Sequence, residues 1–237
     1  MSLNIQISAE PIFSLGNFSL TNSMLMSLTI SVVLSLIAIS FSRAIKSRRF
    51  SGWHTFIQTL VESFYEFVRL VAPQQGTRLF PLIATIFFFV MLGSWVGLLP
   101  GAETIKLNHA PLIRGGTADL NITLGLALFA VASIQYYGYQ TQGMKYFKKF
   151  INLSNPINFF VGILEILSEF ARIMSFAFRL FGNIFAGEVL LAVIAFLVPL
   201  AAPLPFLGLE IFVGFIQALV FATLTLVFIN IAVESHH

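Results

Sequence analysis

The stretch FRLFGNIFAGE, Phe178 to Glu188, sets an arginine and an acid inside a long apolar segment. Arg179 cannot shed its proton at any accessible pH, so it builds a permanent positive charge into hydrocarbon. A charged side chain at mid-bilayer costs at least ~2.5–3.5 kcal/mol on insertion scales, and such residues face a bundle interior or water and mark ion paths. The same segment carries Glu165, Glu169 and Arg172, and the next apolar segment carries Glu210 and Gln217. At 100° per residue, Glu165, Glu169, Arg172, Arg179 and Asn183 fall within roughly 80° of one another on a helix, while Glu188 points about 140° away from Glu165. Glu210 and Gln217 share a face at heptad spacing. Two polar sets therefore look in different directions, which a single closed ion pair would not require.

Internal neutralisation is the plainer explanation. It suits Arg172, which has Glu169 and Glu165 three and seven residues back. It suits Arg179 poorly, since positions 175, 176, 182 and 183 hold no acid. The carboxylate partner of Arg179 is expected on another chain or on the other long helix. Glu188 and Glu210 are candidates to load and release protons; alternatively they only bond neighbouring helices. For Asn183 and Gln217, helix-bridging hydrogen bonds and a transport role are equally open. Ser94, Ser133, Ser168 and Ser175 are expected to pack helices. Gly182, Ala186 and Gly187 are expected to form a close-approach surface for a helix passing near Arg179. His54 and His109 are expected in solvated loops.

The elements that must position these groups follow from composition. Of 237 residues, 57% are hydrophobic and 10% charged, against about 25% charged in soluble domains. Mean hydropathy is +0.91, that of a multi-span membrane protein. The net charge of +3 does not point to nucleic acid, because the basic residues flank apolar spans and orient them. No cysteine is present, so disulfides and thiolate metal sites are excluded. The four histidines (His54, His109, His236, His237) are too scattered for a metal centre, and no cofactor is expected.

Apolar segments run roughly over 22–42, 79–100, 119–140, 156–199 and 203–233, where a spanning helix needs about 20 residues. The first follows a polar start with Glu10 and lacks a cleavage site, so it reads as a retained span rather than a signal peptide. Between the first two, Phe56, Leu60, Phe64, Phe67, Leu70 and Val71 recur at helical spacing among charges. That pattern predicts an amphipathic interfacial helix anchored by Trp53. Arg43, Lys46, Arg48, Arg49, Arg69 and Arg78 flank this first connection, and Lys145, Lys148 and Lys149 the third. Lys106 and Arg114 in the second are offset by Glu103 and Asp119. The positive-inside rule then places the amino terminus outside and the carboxyl terminus in the cytoplasm. Pro100–Gly101 is expected to close the second span.

Residues 157–198 lack proline, and a helix that long would run roughly 60 Å against a hydrocarbon core of about 30 Å. Either it breaks near Gly182 or Gly187, or it tilts. A tilted pair is expected, with Pro199, Pro203 and Pro205 marking the turn. The expected fold is all-α integral membrane, with five membrane-embedded helices plus one amphipathic interfacial helix, the last two long and strongly tilted. It forms a single membrane domain over 1–237: an outside segment 1–21, a first span 22–42, a cytoplasmic connection 43–78, two spans within 79–140, and two tilted helices within 156–235.

SFAFRLFGNIFAGEVL resembles the core motif of subunit a, the membrane stator subunit of F-type ATP synthases. PLIATIFFFVMLGSWVGLLPG, TADLNITLGLAL and GFIQALVFATLTLVFI resemble that family's other signature segments, in its order. The resemblance covers nearly everything after about residue 75. It implies a proton or sodium path formed against a rotating ring of small hairpin subunits, the c-ring, with Arg179 facing the ring carboxylates and keeping two half-channels from short-circuiting. It further implies that Glu188 and Glu210 are the paired polar positions of the outer half-channel, and that Asn183 and Gln217 flank the arginine. Arg172, Glu165 and Glu169 then match positions near the cytoplasmic exit, and Asn121 and Asp119 the outer mouth. Ser94 stands where relatives often carry Asn, and Ile173 where Pro is common. The implied partners are the ring, peripheral stalk subunit b, the rest of the complex and the bilayer. The implied subunit is not catalytic alone. Its expected location is a bacterial plasma (inner) membrane rather than an organelle inner or thylakoid membrane, since the start is not transit-like. The alternative is a stand-alone secondary transporter with a charged midplane site. That class shows repeats and matched broken helices, which are not visible here. A membrane-embedded enzyme lacks support, as there is neither an HExxH spacing nor a nucleophile-plus-base set.

Overall fold

The computed structural model describes residues 11–15, 18–47, 52–98, 106–107, 110–111, 115–144, 146, 150, 156–198 and 202–234. Glu10, Arg48, Arg49, the Pro100–Gly101 turn, Glu103, His109, Arg114, Lys145, Lys148, Lys149, Pro199, His236 and His237 lie outside them. The helices are α1 (Asn22–Ser47), α2 (Gly52–Val71), α3 (Gly76–Val96), α4 (Leu120–Gln142), α5 (Pro156–Leu197) and α6 (Pro203–Val233). All but α2 are long and apolar enough to cross a membrane, so the all-α membrane body follows the expected plan. Two small antiparallel pairs were not expected: β1 (Pro11–Leu15) with β2 (Phe18–Thr21), and β3 (Lys106–Leu107) with β4 (Ala110–Pro111).

Many hydroxyl groups in these apolar helices bond within their own turn. On α1, Ser27, Thr29, Ser31 and Ser35 donate to the carbonyls of Ser23, Leu25, Ser27 and Ser31, so nothing polar is left for lipid to solvate. α4 starts where the Asp119 side chain accepts from Asn121 N at 2.9 Å, an N-cap. It ends at Gly143, whose φ of 61° favours glycine. α6 begins on Pro203, whose missing N–H costs nothing in a first turn.

α5 runs unbroken for 42 residues, about 63 Å at 1.5 Å per residue. Neither Gly182 nor Gly187 interrupts it. Such a rod exceeds a hydrocarbon core of about 30 Å twofold, so it must lean.

α6 is the hub, packing on α2, α3, α4 and α5, while α5 packs on α4 and α6. Phe176 of α5 meets Phe221 of α6 at 4.9 Å between ring centroids. At one end of the bundle, Gln142 of α4 donates to Ala232 O of α6 (2.9 Å) and Arg78 of α3 to Gln140 of α4 (2.6 Å).

At the other end, Gly115 to Asp119 form an irregular, wholly buried turn that touches α1, α3, α4 and α5. Backbone that leaves the α-helix, here with a single 3-10 turn at Gly116–Ala118, is tolerated in an apolar bundle only where protein encloses it.

The apolar stripe of α2 divides. Phe64 is buried and stacks on Phe87 of α3 at 4.3 Å, and Val68 is buried beside it, whereas Trp53, Phe56, Leu60 and Leu70 are exposed. Part of the stripe expected to lie on lipid therefore holds α3 instead.

Candidate ion pathway

α5 presents its charges on two sides. Arg179 is exposed, and its guanidinium donates to Ser175 Oγ at 3.1 Å. No carboxylate of the described residues lies within ion-pair reach of it, so the alternative of a partner on α6 is not realised within this chain. Ser175, expected to pack helices, is an exposed acceptor instead. Asn183 is half-buried one turn further along the same face.

The neutralisation expected for Arg172 is present. Its Nη1 donates to both carboxylate oxygens of Glu169 at 2.7 Å, and its guanidinium sits 4.2 Å from the centroid of the Phe228 ring on α6. A cation so held gains both an ion pair and a ring face. Glu165 is half-buried a turn before Glu169.

Glu188 and Glu210 converge on the opposite side of α5. With Ser94, Gly97, Ile184 and Gly214 they line a cavity of about 10 Å³, room for about one water. Glu210 is 9% exposed. Its carboxyl occupies the space that a side chain on Gly187 would need. The expected small-residue stripe therefore splits. Gly187 seats an acid of α6, while a Cβ on Gly182 would meet nothing within 4 Å. Two carboxyls around one water can pass a proton between them without crossing hydrocarbon.

The surrounding elements hold this cavity open. Trp95 Nε1 donates to Ile211 O at 2.9 Å and ties α3 to α6. A Cβ on Gly97 would stand 2.9 Å from Gly115 Cα, and one on Gly115 would stand 3.3 Å from Glu188 Oε1. Glycine at both positions lets two backbones meet beside the carboxylate. Ser94 is buried, donates to Val90 O at 2.8 Å and lies 3.5 Å from Thr117 Oγ1. Gln217, two turns past Glu210, is buried, and its Nε2 has no hydrogen-bond partner among the described residues. A buried amide donor left unpaired is costly unless water reaches it. Asp119 and Asn121 bond each other at the head of α4, with Asn121 Nδ2 donating to Asp119 Oδ1 at 3.1 Å.

The sequence model of the family described as ATP synthase A chain matches residues 24–230. The chain belongs to that family. It is a membrane subunit of an ATP synthase, a complex in which proton transport is coupled to ATP synthesis. The match runs from inside α1 to inside α6, so the exposed Arg179 face and the Glu188–Glu210 cavity both lie in the part that matches the ATP synthase A chain family. Sequence reasoning missed Gly97, Gly115, Trp95 and Thr117. The Gly115-Gly116 pair did signal a backbone break, but no periodicity points from a connecting segment to a buried contact.

Proposed function

We propose that this chain is the proton-translocating stator of a rotary F-type ATP synthase, forming two offset half-channels against the c-ring with Arg179 between them. The observation that carries the reading is the division of α5. Arg179 stands exposed with only Ser175 as its partner among the described residues, while Glu188 and Glu210 share a cavity on the other side. An apolar helix has no use for an exposed guanidinium unless something else supplies the anion.

Each proton crossing 100 mV is worth about 2.3 kcal/mol, too little alone for ATP synthesis, so crossings must be geared. Protons from outside pass Asp119, Asn121 and Ser94 to the Glu188–Glu210 cavity, and Gln217 and Asn183 lead on to the ring. A proton then rides a ring carboxylate for nearly a full turn and leaves past Glu165, Glu169 and Arg172. Arg179 favours the ionised ring carboxylate and, being unable to give up its own proton, blocks direct hopping between the two paths. The amino terminus lies outside and the carboxyl terminus in the cytoplasm of a bacterial plasma membrane, with peripheral stalk subunit b holding this single membrane domain against rotation.

ATP-driven acidification of vesicles tests the assignment. Arg179→Ala abolishes it in complexes that still assemble and hydrolyse ATP. Pumping at the wild-type rate would contradict it.

A further inference from the structure

We infer that Trp95 is a positioning residue: together with Gly214 it fixes how far α6 is turned about its own axis, and so keeps the Glu210 carboxyl in the cavity it shares with Glu188. The inference rests on the function proposed above and adds a residue to it.

Burial alone leaves the rotation of α6 open. Leu209, Ile211, Phe212, Phe215 and Ile216 are exposed on it, so turning the helix exchanges one apolar side chain for another, and lipid is as apolar as either. A directional contact has to choose. Trp95, half-buried on α3, supplies one: its indole Nε1 donates at 2.9 Å to the backbone carbonyl of Ile211, the neighbour of Glu210. Within a helix that carbonyl already serves the N–H four residues on, and its second lone pair takes the indole. Gly214 makes the reach possible. A Cβ there would stand 3.1 Å from Ser94 Cβ, and 3.4 and 3.5 Å from Trp95 Cδ1 and Nε1, so the missing side chain lets Ser94 and Trp95 both close on α6. At 100° per residue, Gly214 lies about 40° round from Glu210 and Ile211 about 100°. α3 therefore grips α6 at two angles. One point would be a pivot, whereas two fix the rotation and bring Glu210 to rest over Gly187 of α5. Trp95 does not line the cavity itself; it acts through the carboxyl it aims.

Passive proton conduction in membranes holding the whole complex tests this. Trp95→Phe keeps a ring in place and removes the N–H. Conduction falls about three- to tenfold, the factor set by one hydrogen bond between membrane helices, while ATP hydrolysis stays normal. In a Glu210→Gln background the same replacement costs nothing further, because the indole acts only through that carboxyl. A tether that merely held α3 to α6 would cost the same in both backgrounds. Gly214→Ala leaves the N–H but crowds Ser94 and the indole away from α6; it lowers conduction too, and reads the contact where the Trp95→Phe complex does not assemble. Wild-type conduction in an assembled Trp95→Phe or Gly214→Ala complex, or an equal loss in both backgrounds, overturns the inference. If Arg179→Ala still fails to pump in the same membranes, only the role of Trp95 is wrong. If Arg179→Ala also pumps normally, the stator assignment itself fails.

Discussion

Gly187 of α5 is the seat of Glu210 of α6: the Glu210 carboxyl fills the volume that any side chain at position 187 would claim. This one contact fixes the spacing of the two long helices beside the cavity. Adding a methyl there forces the acid out or the helices apart, at an overpacking cost of about 1–3 kcal/mol. Gly187→Ala should therefore lower proton conduction more than about tenfold. Because Glu210→Ala vacates the same space, the double variant should regain the lost thermal stability, as a double-mutant cycle would report. Additive losses in that cycle would show that the two positions do not compete.

Glu188 and Glu210 border one cavity, so on the proposed reading they should act as a unit. Glu188→Gln and Glu210→Gln each slow passive proton conduction without dissociating the complex. The double replacement is hardly worse than the slower single, as expected for groups in series. Conduction measured in stripped vesicles decides this, and an unchanged rate in Glu188→Gln removes that residue from the path.

The Glu169–Arg172 pair is only 12% and 21% exposed. Glu169→Gln leaves Arg172 with a neutral acceptor and should cost about 1–2 kcal/mol, less than a fully buried pair. Phe228→Leu removes the ring beneath the guanidinium and should cost about 0.5–1 kcal/mol beyond its packing loss. Thermal unfolding of the detergent-solubilised chain reads both.

Among the described residues, Arg179 is held by one neutral hydrogen bond, 3.1 Å to Ser175. Ser175→Ala should leave ATP-driven pumping within about twofold, because such an exposed bond contributes only about 0.5–1.5 kcal/mol. Arg179→Lys keeps the charge but replaces a weakly hydrated planar fork with a strongly hydrated point charge. If Arg179 seals the two proposed half-channels from each other, pumping should fall at least about tenfold, since the ammonium draws water into that seal. Equal pumping by Lys and Arg would mean that charge alone suffices there.

Much of this was legible before any coordinates. The isolation of Arg179 followed from the absence of acids at helical spacing, and the opposite direction of Glu188 from angular arithmetic. The single rod of α5 followed from its lack of proline. The convergence of Glu188 and Glu210 was not legible, since helix phase gives a direction on one element and never the partner across the gap. Gly187 was read as a place for a passing helix because a small residue records that something is close, not what it is. Thr117 was invisible for another reason: it lies in a connection without periodicity, buried by α1, α3, α4 and α5 together. α2 was half-read, because its stripe could face lipid or α3 equally well by pattern, and Phe64 chose Phe87.

The most direct measurement is the distance from the Arg179 guanidinium to its nearest carboxylate in a map of the intact native complex. The account predicts an acid of the rotating ring, within about 4–6 Å when ring and arginine are in register. A guanidinium closed onto a glutamate of its own chain, with the ring elsewhere, would contradict it.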